Sequence, residues 1–596
     1  MEPAKEWFKK LQIVYKQFLS SPLAIVLSVY IISILLIGPW LNFPVNDDFY
    51  YLTQVKAFSM GILTKSALIN PAFILQGFMG LLWGKIFGLS YTSLRALTVI
   101  ISILTVIGIN KILKLLGVKN KIRVIALLLT TFNPFFYASS LTFMTENYFL
   151  VFVIWSLYFF LLFTKSGNKK FLLLSSIIGG MSIMVRQFGV VLFITYLSVC
   201  LFIKIKKINF SELLHILIPF LFLGGTAILW PRYKYMSDPK SMNLGLFFTS
   251  FSHIVPRLTS IWVTPYIGYF LFPFTIPIFI KFKKSVKAAV LFVSLFLAYS
   301  YYKLNLFSIG NLFYFDGLYA RLEVNVRENL FNNIPFKLLM SYLIAVSFTT
   351  LVFYLVKRFI KVKGLFALKK IHTTIPKKED SYYLIFLLFL IGFYLVTMVT
   401  DKLYDRYLIN FFIILIIFIS TEAEKLNFNA GKVSILICIL ISTITFLLVF
   451  GYYKENQLKW RLAYNLIANQ KIDGYQIFLD NTYVRSTYML MNKNYDGKIG
   501  PQPLNYYPLC FVQEYTIQSK NFLQQMLTYI ESKARIQKYF SNPLIKDAYL
   551  LKGLSKKFKP ATDALYYDVE YPSPVYNLLG TRTFVRAFCI GDSIIK

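Results

Sequence analysis

Apolar residues along this chain gather in blocks of about 17–25 positions, the length that carries an α-helix across a hydrocarbon layer of about 30 Å. The blocks run over 22–41, 91–110, 122–139, 147–164, 171–186, 188–203, 211–230, 263–280, 286–301, 336–356, 382–400, 407–420 and 433–452. The pattern predicts about thirteen transmembrane helices, although 171–186 and 188–203 run almost into each other. A further apolar run, 71–88, is short and is interrupted by Gln76, Lys85 and several glycines. After residue 453 charged and turn residues become frequent and no long apolar block follows. There Gln457 to Gln470 predicts a helix, and Ile477 to Leu479 a strand entering a turn at Asp480-Asn481. The expected fold is mainly α: a polytopic helical membrane domain over 1–453, followed by a small α/β domain over 454–596.

Composition agrees with this reading. Apolar residues make up 57% of the 596 positions and charged residues 15%, against about 25% charged in soluble domains. The formal charge of +36 comes from short Lys and Arg tufts between the apolar blocks, which is how cytoplasmic loops orient membrane helices. It therefore gives no reason to expect a nucleic-acid partner. The same excess favours anionic lipid head groups and phosphate-bearing substrates.

Charge also decides what 71–88 does. With the N-terminus inside, as Lys5, Lys9, Lys10 and Lys16 require, the tufts at 111–123, 165–170, 204–207, 281–287 and 357–378 all fall inside only if 71–88 does not span. That run is expected to be an interfacial or re-entrant helix within a first outer loop, 42–90. A second outer loop is expected at 140–146. The protein is then expected in the plasma (inner) membrane with a cytoplasmic N-terminus and an extracytoplasmic C-terminal domain. Cys510 and Cys589 both lie in that domain, where they can pair if it is outside; the sequence leaves the pairing open.

Three polar clusters fall on the predicted outer side. Asp47-Asp48 follows the first span within Pro44-Val45-Asn46-Asp47-Asp48-Phe49-Tyr50-Tyr51, where aromatic surroundings favour a general base. The competing reading is an ordinary solvated loop. Glu146, in Thr142-Phe143-Met144-Thr145-Glu146-Asn147, is either a partner for Asp47 or a helix-capping acid. The third cluster, Asp401-Lys402-Leu403-Tyr404-Asp405-Arg406-Tyr407, offers Arg406 with Tyr404 and Tyr407 as a phosphate site, or a local Asp405–Arg406 ion pair. Arg186-Gln187 adds a cation that can bind phosphate or snorkel to water. Asp47, Asp48 and Glu146 are also the residues that could hold Mg²⁺ or Mn²⁺ if a divalent cation takes part. The three histidines show no metal-site spacing, and no Gly-rich phosphate loop is present, which argues against ATP-driven transport.

On these residues the chain resembles the GT-C membrane glycosyltransferases, and is similar to family 39, the group of the protein O-mannosyltransferases and lipid A aminoarabinose transferases. The resemblance rests on Asp47-Asp48 with Tyr51; Leu82 to Gly88 with Lys85, then Arg95; Asn133-Pro134; Thr142 to Glu146; Arg186-Gln187; and Asp405-Arg406-Tyr407. Glu146 departs from the Asp usual in that family. The resemblance implies a polyprenyl-phosphate sugar donor, a glycan, lipid or protein acceptor, and inversion at the anomeric carbon. It implies Asp47 as the base, with Asp48 and Glu146 positioning the acceptor or tuning Asp47. Arg186 and Arg406, with Tyr404 or Tyr407, would bind the leaving phosphate, and Tyr51, Lys85 and Arg95 would support the site. The alternative function is a transporter or flippase for a lipid-linked sugar or another anion, which would place its charges at mid-membrane.

Overall fold

The computed structural model describes residues 21–63, 69, 72–203, 210–230, 261–304, 306–307, 309, 312–314, 317–318, 334–363, 378–400, 403–425, 431–470, 477–478, 510–517, 565–571 and 582–589. Asp401, Lys402 and the expected turn at Asp480-Asn481 lie outside the described residues, as does most of 454–596 beyond Gln470. The chain forms two compact units. The first is Met1–Asn42, Asp47–Tyr319 and Ile334–Phe446; the second is Phe43–Asn46, Ala320–Asn333 and Leu447–Lys596.

The first unit is helical. Its helices are α1 (Pro22–Ile37), α2 (Asp48–Ser59), α3 (Ile74–Phe87), α4 (Tyr91–Leu115), α5 (Asn120–Thr131), α6 (Pro134–Ser140), α7 (Thr145–Ser166) and α8 (Lys169–Val185). They continue with α9 (Val190–Ile203), α10 (Phe210–Leu229), α11 (Thr264–Ile280), α12 (Lys284–Lys303), α13 (Ile334–Lys363), α14 (Lys378–Val399) and α15 (Ile409–Lys425), and α16 (Lys432–Gln470) runs on into the second unit. Every predicted span coincides with one of these helices or, for 122–139, with the pair α5 and α6. Among the described residues nine helices are individually long and apolar enough to cross a membrane, or ten if the α5–α6 pair is one span. The expected count of about thirteen includes shorter helices, such as α1, that fall below that length.

The sequence explains several helix ends. Ser21 caps α1 by accepting the Ala24 N–H, Pro22 fits the first turn because its missing N–H is not needed there, and Gly38 closes the helix at φ 61. Asn133-Pro134 breaks the third expected span: proline removes a ladder donor, the Asn133 side chain accepts the Phe135 N–H at 3.0 Å, and the axis bends by 60°. The expected single helix over 122–139 is therefore two. Between α8 and α9 Arg186 adopts an extended conformation (φ −142, ψ 136). Gly189 lets the chain fold back there, since a Cβ at that position would lie 2.3 Å from the Ser182 hydroxyl and 2.8 Å from the Ile183 backbone nitrogen.

The run 71–88 is a helix, α3, of 14 residues. At 1.5 Å per residue it reaches about 21 Å, less than a hydrocarbon layer of about 30 Å. A helix that the periodicity did not suggest, α2, begins at Asp48 inside the same loop. α16 is 39 residues long, so the expected helix at 457–470 is the unbroken continuation of the last span.

In the second unit Phe43 packs against Tyr453 and stacks on Trp460. Its described strands are β3 (Ile477–Phe478), β4 (Cys510–Ile517), β5 (Leu565–Tyr571) and β6 (Arg582–Cys589), numbered after the short hairpin β1 (Phe313–Tyr314) and β2 (Gly317–Leu318) of the first unit. They form a sheet in the order β3-β4-β6-β5, with β3 parallel to β4 and the other pairs antiparallel. Cys510 stands opposite Cys589 in the β4–β6 register.

Candidate active site

Four helix ends of the first unit meet at one buried polar cluster. Asp47 precedes the first turn of α2, Glu146 lies in the first turn of α7, Arg186 is the cap residue after α8, and Arg406 sits in the short 3-10 turn (Asp405–Leu408) that leads into α15. Helix ends are where backbone groups go unpaired, so polar side chains collect there at little cost to the spans.

Glu146 binds both arginines. Its Oε1 lies 2.8 Å from Arg186 Nη2 and 3.5 Å from Arg406 Nε, and its side chain is 0% exposed. Arg186 Nε also donates to the Thr145 hydroxyl at 2.6 Å. Arg406 Nη2 reaches Asp47 Oδ2 at 3.2 Å, and its Nη1 donates to the Met144 sulfur at 3.6 Å. Two guanidiniums thus meet two carboxylates. Asp47 is the exposed member, with a side chain 40% accessible to solvent. It makes no side-chain cap to α2, because its carboxylate is turned to Arg406. Glu146, in the first turn of α7 where an acid suits the helix dipole, also directs its carboxylate to the two arginines. The remaining oxygen of Glu146, Oε2, is buried with no hydrogen-bond partner among the described residues.

The aromatic residues form the walls. The Arg186 guanidinium lies 4.8 Å from the Tyr407 ring centroid, and that of Arg406 lies 5.2 Å from Tyr404 and 5.7 Å from Tyr407. Rings at this distance hold a cation through their quadrupoles. Tyr51 is buried with its ring 5.0 Å from that of Phe73. Burial pushes the Tyr51 hydroxyl well above its ordinary pKa, and the charge of Glu146 adds to this, so Tyr51 is a neutral donor. One non-glycine residue here has positive φ, Phe73 at 58°. Such conformations are costly and collect at functional sites. Phe73 also donates its backbone N–H to Val185, beside Arg186.

Asp48 and Arg95 form a separate pair. Arg95 Nη2 lies 3.4 Å from Asp48 Oδ2, the side chains are 1% and 0% exposed, and Arg95 Nη1 donates to the Leu41 carbonyl at 3.1 Å. Adjacent in sequence, Asp47 and Asp48 thus face different arginines. Asp405 accepts the Leu312 N–H at 3.0 Å, while Arg406 reaches to carboxylates on other elements. Lys85 is exposed on the last turn of α3 and pairs with none of these carboxylates among the described residues. No three His, Cys, Asp or Glu side chains come together to hold a metal ion among the described residues. Asp47, Asp48 and Glu146 each face a guanidinium. Thr145 and Met144 were not singled out from sequence, although both flank Glu146 in the stretch that was.

Residues 70–230 match a family model described as Dolichyl-phosphate-mannose-protein mannosyltransferase. The match contains Arg95, Glu146 and Arg186; Asp47 and Arg406 lie outside it. No curated protein sequence gives a significant match. Two crystal structures of ArnT from Cupriavidus metallidurans are similar over their length. The one bound to undecaprenyl phosphate is 12% identical, with 95% of this chain and 97% of that chain covered and a TM-score of 0.35. The apo one is 13% identical, with 97% and 98% covered and a TM-score of 0.34. Likeness at that level leaves the chemistry of the site to this chain's own residues. Over residues 70–230 the chain is similar in sequence to the dolichyl-phosphate-mannose-protein mannosyltransferase family.

Proposed function

We propose that the protein is a glycosyltransferase that moves a hexose or pentose from a polyprenyl-phosphate-linked donor to an acceptor hydroxyl at the outer face of the membrane, with inversion. The observation that carries this reading is the convergence of Asp47, Glu146, Arg186 and Arg406, drawn from four separate elements. The description of the matched family names a dolichyl-phosphate-linked sugar, which supports a donor of that class.

In this reaction the acceptor oxygen attacks the anomeric carbon as Asp47 takes its proton. The bond from that carbon to the phosphate oxygen breaks, and the electron pair leaves with the polyprenyl phosphate. Asp47 suits the base because it is the accessible carboxylate of the cluster. Arg186 and Arg406 suit the leaving phosphate, since fixed guanidiniums stabilise negative charge as it develops. Tyr404 and Tyr407 hold those guanidiniums from the ring side. Asp48, buried against Arg95, positions the start of α2 and thereby Asp47.

All four residues sit at helix ends; labelling that found Asp47 and Glu146 near the bilayer midplane, where a transporter keeps its ionisable groups, would favour transport instead. The test is incubation of the purified protein with defined polyprenyl-phosphate sugars and an acceptor hydroxyl. Free polyprenyl phosphate should appear with wild type and not with Asp47→Asn. Equal release by the two proteins would remove Asp47 from the reaction.

A further inference from the structure

The three polar contacts of Arg406 are unequal. Glu146 is fully buried, so its attraction for the guanidinium is little screened. Asp47 is 40% exposed, and an ion pair with that much solvent is weak and exchangeable. The third contact, to the thioether of Met144, uses a poor acceptor. Arg406 is therefore held in place by Glu146 and the tyrosine rings, while Nη1 and Nη2 face partners that an anion can outcompete.

A phosphate oxygen is such an anion. It pairs with guanidinium through charge-assisted bonds and offers several acceptors at once. A carboxylate oxygen engaged with Arg406 is not free to accept a proton from a hydroxyl. We propose that Asp47 and the phosphate of the incoming donor compete for Arg406, so that donor binding is itself what releases the Asp47 carboxylate for catalysis. This rests on the donor reading given above and adds an order to it: the phosphate-bearing lipid binds first, and the acceptor hydroxyl then meets a freed base. Asp47 can turn without breaking a helix cap, because it makes none to α2. Glu146 is the positioning residue that keeps Arg406 in place through the exchange.

The experiment is binding rather than turnover. A short-chain polyprenyl phosphate is titrated into the full-length protein in detergent, as wild type, Asp47→Asn, Asp47→Ala and Asp47→Glu, with gel filtration to check each fold. Inorganic phosphate is titrated in parallel to separate head-group from tail binding. Removing the competitor should tighten polyprenyl-phosphate binding about two- to fivefold in either neutral variant, the range expected for a partly exposed ion pair. Asp47→Glu, which restores a competitor, should return toward wild type. Unchanged or weaker binding in the folded neutral variants would overturn the competition and leave the donor reading standing. No binding by wild type would remove both.

Discussion

Arg406 Nη2 and Asp47 Oδ2 stand 3.2 Å apart across 359 positions of sequence. The contact ties the loop after α1 to the turn before α15, and it joins the accessible carboxylate of the cluster to a buried cation. Replacing Asp47 by Asn should leave the fold nearly intact, since a pair this exposed contributes about 0.2–1 kcal/mol. Transfer should fall by a factor on the order of 10²–10⁴, the usual contribution of a positioned base. Thermal unfolding and turnover, measured on the same preparation, check both halves.

Glu146 should behave in the opposite way. It is fully buried and is shared by two arginines, so Glu146→Ala takes the buried carboxylate from both and leaves Arg406 only the partly exposed Asp47. Breaking a buried pair from one side costs about 3–5 kcal/mol. The expected result is a large loss of thermal stability. Glu146→Asp, one methylene shorter, should keep the contact to Arg186 or to Arg406 but not both, and should unfold between wild type and the alanine variant.

For the Asp48–Arg95 pair the prediction is non-additivity. Each single change, Asp48→Asn or Arg95→Met, strands a buried charge and should destabilise strongly. The double variant should regain much of that loss, because no charge is then left unpaired. Additive losses in a double-mutant cycle would mean that the two side chains do not depend on each other.

Tyr51 gives a prediction about pH. Burial raises its pKa, so its hydroxyl stays protonated through the ordinary pH range. The stability this contributes is fully present below the ordinary tyrosine pKa of about 10 and is lost only as pH rises beyond it. The pH–rate profile of Tyr51→Phe between about pH 6 and 9 should therefore keep the wild-type shape. A limb missing from the variant would show that Tyr51 titrates during turnover.

The β4–β6 register predicts a disulfide if the C-terminal part lies outside the cell. Residues directly opposite in antiparallel strands have Cα atoms about 4.5–5.5 Å apart, within the span a disulfide bridges. Cys510 and Cys589 hold that position. Mass spectrometry of membranes prepared with a thiol-blocking reagent should find the two joined. Free thiols at both positions in native membranes would count against the extracytoplasmic placement.

The sequence by itself determined where the helices lie. Spanning segments must be long, apolar and internally hydrogen-bonded, and that demand is met residue by residue along the chain. It is why the blocks ending at 110, 164 and 452 reappear as α4, α7 and α16. The bend at Asn133-Pro134 and the helix α2 escaped notice because each depends on local geometry that an apolar pattern does not encode. The candidate residues were legible too, since charges next to a bilayer are few and sit at helix ends. Only the tertiary structure decided their partners. Asp47 and Asp48 are neighbours in the chain and were read as one pair, yet they bind different arginines, because the first turn of α2 points them apart. Lys85 has the right charge and remains on an exposed face. Which cation meets which carboxylate depends on how distant helices pack, and long-range packing leaves no periodic trace in the sequence.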